Sequence, residues 1–353
     1  MLSRETFYHG RKVLVTGHTG FKGTWLCWLL SALGAKVYGF ALPPQAECLY
    51  ETACPPLEQE YLGDIRNRAA VEQVLAQFKP DIIFHLAAHA YLDGSYEYPA
   101  DIFEVNVMGT VGLLEAVRRS GRIIPVVVIT SDKVYAQNLK GQPCRENDMF
   151  GAAEAYSTSK ACQDLAAQCY GLSFPTMPVA TARASNTIGG GDFHISRLIP
   201  HLLNCFSRGM PAQLRNPSFI RPWQYVLDVL WGYLTLGNAL TNETLGKDTS
   251  FNFGPAPDGF QTVGRVAELL AAQFPGARCE VQGGNRSSET EILRLDSEKA
   301  CQILGWRPRY TLEETLVQAA VFHKELLYVP AAQLCRKHVE QYIERLHQEA
   351  GPV

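Results

Sequence analysis

The chain has 353 residues, of which 46% are hydrophobic and 19% are charged, and its formal net charge at pH 7 is −3. This length suits one cofactor-sized domain with a smaller partner, and the balanced charge excludes a general electrostatic attraction for nucleic acid. The N-terminus lacks a signal-peptide pattern and no apolar run is long enough to span a bilayer, which predicts a cytoplasmic protein with no membrane partner. The ten cysteines are scattered without a CxxC pair, which predicts free thiols and no metal site.

From Lys12 to about Arg183, short β-branched runs alternate with longer helical patterns. Strands are predicted at 12–16, 36–40, 82–85, 125–130 and 177–183, with a further strand before Gly63, and helices near 21–33, 67–78, 99–119 and 155–172. This alternation predicts an α/β protein with a Rossmann-type, doubly wound parallel sheet that is covered by helices on both faces. Such a sheet binds ligands beyond the carboxyl ends of its strands.

After Arg183 the alternation fades into stretches rich in glycine, asparagine and proline, with helical patterns near 195–207 and 223–239. This change predicts a smaller lobe that is interwoven with the first. Close to the C-terminus, apolar residues recur at spacings of three and four: Val339, Tyr342, Ile343 and Leu346. That spacing predicts an amphipathic helix that packs on the body of the protein or on another subunit.

A glycine-rich loop follows the first predicted strand at the point where it turns into a helix. Glycine allows a sharp turn and a close approach to a pyrophosphate, and the helix N-terminus supplies free N–H groups and a positive dipole. The loop therefore predicts a dinucleotide site. The residues expected to contact the cofactor are those of the loop and those that follow the fourth strand: Gly17, His18, Thr19, Gly20, Phe21, Lys22, Gly23, Leu86, Ala87 and Ala88.

The choice between NAD and NADP is left open by the second strand. The acidic residue that usually binds the adenosine ribose of NAD is missing at its end, where the chain reads Phe40-Ala41-Leu42, so NAD is expected but NADP is not excluded. Lys22 could meet a 2′-phosphate or could be a solvated loop lysine. Asp64 is expected near the adenine amino group, with Ile65 beside it, and a plain surface turn is the alternative.

Tyr156 and Lys160 lie four residues apart in a predicted helix and therefore share one face. The ammonium group could then lower the pKa of the phenol and reach the nicotinamide ribose, so that Tyr156 acts as a base near neutral pH. A YxxxK pattern is common by chance. Here a glycine loop precedes it and Ser131-Asp132-Lys133 ends an intervening strand, so all three elements converge on one sheet edge, as hydride chemistry requires.

Together these residues make the chain resemble the extended short-chain dehydrogenase/reductases, also called the NAD-dependent epimerase/dehydratase family. Within that family it resembles the nucleotide-sugar 4,6-dehydratases, and most closely those that act on CDP-glucose. The likeness extends to about residue 325, and its further marks are the strings at 182–186, 189–192, 215–217, 221–224 and 252–255. It implies an NAD(P)-binding Rossmann domain at 1–182 and 226–252, a nucleotide-sugar-binding lobe at 183–225 and 253–330, and a C-terminal helical extension at 331–353.

The resemblance implies an internal redox cycle on a nucleotide-diphosphate sugar. Tyr156 would take the proton of the C4 hydroxyl while the C4 hydride moves to the nicotinamide, and Ser131 would bond the C4 oxygen. Asp132 would protonate the departing C6 hydroxyl, Lys133 would accept the C5 proton, and the hydride would return to C6. Lys133 can act in this way only if burial or a neighbouring cation, such as Lys160, lowers its pKa.

By the same resemblance, Asn186 and Arg221 face the substrate diphosphate, which the planar guanidinium fork suits. The other expected substrate contacts are His89, Arg197 and Arg215. A salt bridge between the lobes is the alternative for Arg221, and a turn is the alternative for Asn186. Asp192 is expected to cap the helix at 195–207. The family also implies a homodimer formed through the helices at 99–119 and 155–172.

The chain departs from the resembled dehydratases after the fourth strand, where His89 and Asp93 replace a glutamine and an arginine. Exchanging a cation for an anion beside the pocket alters which sugar or phosphate group is accepted, so the nucleotide and the hexose are left open. His89 could contact the ligand or could be a loop histidine. Two other functions stay open: an epimerase or 4-reductase on the same scaffold, which needs no Asp132–Lys133 elimination pair, and a catalytically silent NAD-binding protein.

Overall fold

The computed structural model describes residues 4–90, 96–136, 141–151, 154–281 and 291–350. Asp93, which the sequence analysis placed beside the pocket, lies outside these ranges. The strands are β1 (Lys12–Thr16), β2 (Lys36–Ala41), β3 (Gln59–Leu62), β4 (Ile82–His85), β5 (Val126–Ile129), β6 (Val179–Ala184), β7 (Asn186–Ile188), β8 (Ala212–Leu214), β9 (Ile220–Tyr225), β10 (Ser250–Phe253), β11 (Phe260–Thr262) and β12 (Cys279–Val281).

The helices alternate with these strands through the first half of the chain and cluster in the second. They are α1 (Arg4–Phe7), α2 (Phe21–Ala32), α3 (Leu49–Ala53), α4 (Arg68–Phe78), α5 (Pro99–Phe103), α6 (Gly109–Arg119), α7 (Ala155–Ser173), α8 (Leu198–Ser207), α9 (Val226–Thr241), α10 (Val263–Ala271), α11 (Glu298–Leu304), α12 (Leu312–Glu325) and α13 (Ala331–Ala350). A π-helical segment, Glu104–Met108, joins α5 to α6, and a short 3₁₀ turn, Asp132–Val134, follows β5.

The main sheet has seven parallel strands in the order β10-β6-β5-β4-β1-β2-β3. Its central strands β4, β5 and β6 are buried along their whole length; β4 and β5 are mostly apolar, whereas β6 also buries Thr181 and Arg183. One face packs against a core that includes α2 and α9, and the other packs against α4 and α6. The predicted Rossmann-type fold class is therefore confirmed, and the carboxyl ends of β1, β4 and β5 meet along one edge.

The smaller lobe contains a three-stranded sheet, β11-β9-β7, and a two-stranded sheet, β12-β8. Its core is formed by apolar residues of α8, α10 and α12, among them Leu202, Val266 and Leu316. The helix predicted at 223–239 begins only at Val226, because 220–225 form β9 and pair with β7 and β11. The interweaving is visible in β10, which returns to the main sheet beside β6. The exact lobe boundaries stay a prediction.

The C-terminal helix α13 packs on the body of the protein, against α2 and α3. Val339, Tyr342 and Leu346 are buried there, which confirms the amphipathic pattern read from the sequence. The Tyr342 hydroxyl donates a 2.9 Å hydrogen bond to the buried carboxylate of Asp228 on α9. All ten cysteines are free thiols. Within the ranges given above, no helix is both long and apolar enough to cross a membrane.

Candidate active site

The glycine loop between β1 and α2 is built from backbone atoms in close contact. Gly17 has a φ of +74°, and a Cβ there would lie 2.7 Å from the Ala87 nitrogen. A Cβ on Gly23 would lie 2.2 Å from the Gly17 carbonyl oxygen. Gly20 is the N-cap of α2 and has no side chain to accept the first N–H groups of the helix. The first turn of this helix carries no acidic residue. The helix N-terminus therefore offers N–H groups to an anion, and the loop fits a pyrophosphate.

The other predicted cofactor residues surround this loop. Thr19 donates its hydroxyl to the Leu42 carbonyl oxygen at 3.1 Å. Phe21 opens α2, and its ring lies against Gly189 of the smaller lobe. The backbone N–H of Ala87 donates to the Thr16 hydroxyl at 3.2 Å, which ties the end of β4 to the end of β1. Leu86, Ala87 and Ala88 are half-buried at that same edge.

His18 is buried beneath Gly39 of β2 and pairs with Glu60 of β3 at 2.9 Å. Tyr50 donates a second hydrogen bond to the same Glu60 oxygen at 2.7 Å. Burial opposes ionisation of Glu60, but these two hydrogen bonds lower its pKa. Burial also lowers the pKa of His18. Glu60 thus supplies a carboxylate close to the strand end where the sequence lacks one, and the sequence did not reveal it because it lies on a different strand.

Asp64, just beyond β3, has its carboxylate engaged by Arg66. The guanidinium donates at 2.7 Å and the Arg66 backbone N–H at 2.9 Å, and this hydrogen bonding lowers the pKa of Asp64. Ile65 is buried against Gly109 at the start of α6. The structure therefore gives Asp64 a partner within its own turn, and its contact with adenine stays a prediction.

Lys22 lies within the electrostatic reach of Asp132, Asp192 and Arg197, and its contact with a 2′-phosphate stays a prediction. Its pKa is lowered to about 8, chiefly by burial and then by the charge of Arg197, while the carboxylates of Asp132 and Asp192 oppose this effect. The side chain is half-buried. Its ammonium group is therefore a charge of the active-site cleft, and solvation as a surface lysine does not describe it.

Ser131 and Asp132 are buried directly after β5, at the carboxyl edge of the sheet. The Ser131 hydroxyl donates to Asp132 Oδ1 at 3.1 Å and accepts the Lys133 backbone N–H at 3.2 Å. Asp132 Oδ2 is buried with no hydrogen-bond partner in the described part of the chain. Burial raises the pKa of Asp132, against the charge of Lys133. A carboxyl group held towards its protonated form with one unpartnered oxygen is suited to donate a proton.

Helix α7 begins with a cap that fixes its first turn. The Glu154 carboxylate accepts the backbone N–H groups of Tyr156 and Ser157 at 2.7 and 2.9 Å. This cap holds Tyr156 where its hydroxyl makes a hydrogen bond with Ser131. Ser131 therefore contacts both the phenol and Asp132, and the predicted convergence of Ser131, Asp132 and Tyr156 is what the structure shows.

The expected lowering of the Tyr156 pKa by Lys160 stays a prediction for the protein with its cofactor bound. Desolvation raises the pKa of Tyr156 to about 12, and the hydrogen bond with Ser131 is the largest opposing effect. The Lys160 ammonium group instead donates to the Ile129 carbonyl oxygen at 3.2 Å and to Gln163 Oε1 at 2.8 Å. Burial lowers the pKa of Lys160 to about 7, and Lys22 adds to this effect. The spacing placed both side chains on one face but did not fix their partners.

Two of the predicted arginines direct their charge towards the catalytic segment. Arg197 lowers the pKa of Tyr156, and Arg221 lowers that of Asp132. Arg197 also forms a 2.8 Å ion pair with Asp192. The expectation that Asp192 caps the helix is therefore wrong: α8 begins after Arg197 without a side-chain cap, and the Asp192 carboxylate holds this arginine instead.

The remaining predicted substrate residues lie on the smaller lobe or at its border. Asn186 is half-buried at the start of β7 and pairs with Trp223. Arg221, on β9, donates to the Ile220 carbonyl oxygen at 3.0 Å. Arg215 is exposed just after β8. His89 is half-buried, and its place after β4 brings it to the same sheet edge as the catalytic segment.

The structure also reveals polar residues behind the site that the sequence did not single out. Asn106, in the π-helical segment, is buried; its Oδ1 accepts the His89 N–H at 2.7 Å and its Nδ2 donates to Ser159 at 2.9 Å. π-helical turns are frequent at functional sites. In the sequence, the signal for Asn106 was a polar residue between two valines of the predicted helix at 99–119.

No group of three or more metal-ligating side chains occurs in the parts of the chain described here.

A parallel Rossmann-type sheet with a glycine loop and a Ser–Tyr–Lys group at its carboxyl edge defines a short-chain dehydrogenase/reductase. Comparison with known proteins makes this class more specific. The model of the GDP-mannose 4,6-dehydratase family matches residues 14–319. CDP-glucose 4,6-dehydratase of Salmonella typhimurium is 39% identical over 94% of this chain and 96% of its own length. The chain therefore belongs to this family of nucleotide-sugar dehydratases, which confirms the resemblance read from its motifs.

Other relatives are more distant. A dTDP-glucose 4,6-dehydratase of Xanthomonas campestris is 26% identical over 86% of this chain and 91% of its own length. Among solved structures, the UDP-glucose 4-epimerase of Thermus thermophilus in complex with NAD has a TM-score of 0.76 at 25% identity, covering 89% of this chain and 99% of that one. Dehydratases and epimerases thus share this fold, so the two activities have to be distinguished by the residues of the site.

Proposed function

We propose that this protein is an NAD-dependent 4,6-dehydratase that converts CDP-glucose, or a closely allied nucleotide-diphosphate hexose, to its 4-keto-6-deoxy derivative. The observation that carries the proposal is the buried Asp132 carboxyl, whose Oδ2 has no partner among the described atoms and which is bonded to the same Ser131 as Tyr156. An epimerase or a 4-reductase needs the tyrosine but has no use for a second acid beside it. The 39% identity to a CDP-glucose 4,6-dehydratase supports the same choice.

NAD fits the residues of the loop. A Cβ on Gly17 or Gly23 would collide with backbone, so the turn at the start of α2 needs these glycines. Glu60 favours NAD over NADP, because a carboxylate near the adenosine end repels a 2′-phosphate. When bound, NAD would supply a positive charge, an acceptor for the C4 hydride and a donor of that hydride to C6.

The side chains of this chain supply the proton transfers. Tyr156 accepts the proton of the C4 hydroxyl as a phenolate, which the charges of Lys160 and of bound NAD would favour against the raised pKa that burial gives the phenol. Ser131 holds the C4 oxygen between the phenol and Asp132. The resulting 4-keto group makes the C5 hydrogen acidic. Asp132 gives its proton to the departing C6 hydroxyl, which the burial-raised pKa favours, and Lys133 accepts the C5 proton. Lys160 would contact the ribose of the cofactor when NAD is bound.

The diphosphate of the substrate is assigned to Asn186, Arg197 and Arg221, with Arg215 and His89 at the edges of the pocket. Support comes from the charges of Arg197 and Arg221, both of which act on catalytic groups. Opening the Asp192–Arg197 ion pair would free the guanidinium fork for phosphate oxygens. The division into an NAD(P)-binding domain and a nucleotide-sugar lobe is proposed with the boundaries given above.

We further propose a cytoplasmic homodimer formed through the helices at 99–119 and 155–172. Its support is the set of large apolar side chains that these helices leave exposed: Met108, Leu165 and Leu172. Leu165 and Leu172 lie seven residues apart and therefore on one face of α7, and an apolar face left exposed on a helix is suited to a subunit contact. Sedimentation equilibrium of the protein with and without a Leu165→Lys substitution tests the dimer.

The test of function is to incubate the purified protein with NAD and, separately, with CDP-, dTDP-, GDP- and UDP-hexoses. With CDP-glucose we expect a product that has lost one water molecule, which mass spectrometry detects. Epimer formation without water loss supports the epimerase alternative, and NAD binding without turnover of any sugar supports a silent protein. Thermal shift across the same panel ranks the nucleotides, since a bound ligand stabilises the fold.

A second test separates elimination from oxidation within one turnover. In Asp132→Asn the C4 oxidation remains, so reduced cofactor accumulates, while release of the dehydrated product falls by roughly 10²–10⁴-fold. The matched control is Asp148→Asn, an exposed aspartate whose carboxylate accepts only a local backbone N–H at 2.8 Å. Equal loss of both half-reactions in Asp132→Asn would contradict its role as the acid.

A further inference from the structure

A buried hydrogen-bonded chain extends from Lys160 into the interior of the protein. The first link is Gln163, one turn further along α7, whose Oε1 accepts from the Lys160 ammonium group at 2.8 Å. Gln163 Nε2 in turn donates to the Thr110 hydroxyl on α6 at 2.8 Å. All three side chains are buried. The catalytic lysine is therefore held from behind by an amide that serves no other part of the proposed mechanism.

The chain continues through the centre of the sheet. Thr110 lies 2.8 Å from His85 Nε2 at the end of β4, and His85 Nδ1 lies 2.7 Å from the Thr16 hydroxyl at the end of β1. Thr16 is followed directly by Gly17 of the cofactor loop. One continuous set of hydrogen bonds thus joins Lys160 to the strand that carries the glycine loop.

The direction of each hydrogen bond follows from the donors that are available. Thr110 has one hydroxyl proton, which it donates to the Asn106 carbonyl oxygen at 2.7 Å, so it accepts from both His85 and Gln163. Burial lowers the pKa of His85 to about 3, so its ring is neutral and carries one N–H, which points to Thr110. The NH₂ group of Gln163 must therefore face Thr110, and its carbonyl oxygen must face Lys160.

We propose that Gln163 is a positioning residue for the catalytic lysine: its fixed carbonyl oxygen holds the Lys160 ammonium group in place beside Tyr156 and favours the charged form. This inference rests on the proposed function only in that Lys160 serves the cofactor and the tyrosine. A leucine of similar size would keep the packing and remove the acceptor. A glutamate would replace the neutral acceptor by a charged one, to which Thr110 can turn its proton.

The other charges around Lys160 come from three elements. Lys22 of α2 disfavours the ammonium form, while Asp164 on α7 favours it and is itself paired with Arg183 of β6 at 2.8 Å. His85 of β4 is neutral, as described above. Burial lowers the pKa of Lys160 to about 7, so a single hydrogen bond to the charged form has a measurable effect near neutral pH. Removing the acceptor lowers this pKa further, and a carboxylate raises it.

The experiment compares Gln163→Leu and Gln163→Glu with the unmodified protein. The rate of cofactor reduction in a single turnover with CDP-glucose is measured from pH 6 to 10. Because Lys160 is charged only below its pKa, its deprotonation sets the fall in rate at high pH. That fall is expected about one pH unit lower in Gln163→Leu and higher in Gln163→Glu. Gln302→Leu, which removes an exposed glutamine from α11, is the control and keeps the original profile.

A second readout needs no sugar. The affinity for NAD, followed by tryptophan fluorescence over the same pH range, is expected to shift in the same two directions. If no sugar is turned over, the proposed function fails while opposite shifts in NAD affinity still support Gln163. If sugar is turned over and both variants keep the original pH dependence, or both shift in one direction, the inference is overturned. Should Gln163→Leu not fold, the upward shift in Gln163→Glu decides it alone.

Discussion

The cofactor loop and the catalytic segment lie on one edge of the same sheet but are held by different means. The loop depends on backbone contacts in which Gly17 and Gly23 lack a Cβ. The catalytic segment depends on buried polar side chains, in which Asp164 accepts from Arg183 and Thr130. Adding one carbon damages the first region, whereas removing one hydrogen-bonding group damages the second. The two regions therefore respond to opposite kinds of substitution.

Arg183 connects α7, which carries Tyr156 and Lys160, to the turn after β5, which carries Ser131 and Asp132. Its Nε and Nη2 donate to the two Asp164 oxygens at 2.9 and 2.8 Å, and its Nη1 donates to the Tyr135 hydroxyl at 2.8 Å. Tyr135 then donates to Asn252 on β10 at 2.6 Å. Helix α7, the 3₁₀ turn that carries Asp132 and the end of β10 are thus fixed by one buried cation.

The largest effect is expected at the reacting group itself. Tyr156→Phe removes the proton acceptor, so kcat is expected to fall by roughly 10³-fold, within the range of general acid–base catalysis. NAD affinity should hardly change. Tyr170→Phe, which alters a half-buried tyrosine of the same helix, is the control for steady-state kinetics. A fall of less than tenfold in Tyr156→Phe would remove this residue from the mechanism.

The next largest effect concerns the stability of the catalytic segment. Arg183→Met leaves the Asp164 carboxylate buried without its cation, which is expected to cost about 3–5 kcal/mol of unfolding free energy. Urea unfolding measures this cost. Adding Asp164→Leu removes the stranded charge and should recover most of the stability. Arg265→Met, at an exposed pair with Glu268, is the control. A double variant as unstable as the single one would show that packing, and not charge, holds this region.

The loop should respond to a single methyl group. In Gly23→Ala the new Cβ lies 2.2 Å from the Gly17 carbonyl oxygen, a backbone atom that cannot rotate away. We expect about 1–3 kcal/mol of destabilisation from overpacking and a loss of NAD affinity of about tenfold or more. Gly246→Ala, at an exposed position with nothing within 4 Å, is the control. Unchanged NAD affinity, measured by calorimetry, would contradict the backbone account of the loop.

The smallest effect sharpens the account of the polar network. Thr130→Val removes one 2.8 Å hydrogen bond to Asp164 but leaves the two bonds from Arg183. The expected cost is about 1–2 kcal/mol, well below that of Arg183→Met. Thr244→Val changes an exposed threonine with a local hydrogen bond and is the control. If Thr130→Val cost as much as Arg183→Met, Asp164 would depend on the complete set of donors.

The main sheet was largely readable from the sequence because its central strands are buried on both sides. Short β-branched runs predicted β4 at its observed bounds and β5 and β6 within two residues. Strand β10 was missed, since Ser250-Phe251-Asn252-Phe253 alternates polar and apolar residues and is too short to stand out. The start of α9 was predicted too early because the apolar residues of β9 run directly into the helix.

The site was predictable where its parts are local in sequence. The glycine loop, Ser131-Asp132-Lys133 and Tyr156 with Lys160 each occupy a few neighbouring residues. The contacts of Glu60 with His18, and of Gln163 with Thr110, join residues 42 and 53 positions apart, and no spacing rule reveals them. The hydrogen bonds of Lys160 with Ile129 and Gln163 were likewise not predicted, because the spacing of Tyr156 and Lys160 fixes only their common face.

The measurement that tests the account most directly uses CDP-glucose labelled with deuterium at C4. An internal hydride cycle predicts a 4-keto-6-deoxy product that carries the deuterium at C6, with no net change in the cofactor. Deuterium retained at C4 of an epimerised sugar, or lost from the product altogether, would contradict the dehydratase assignment.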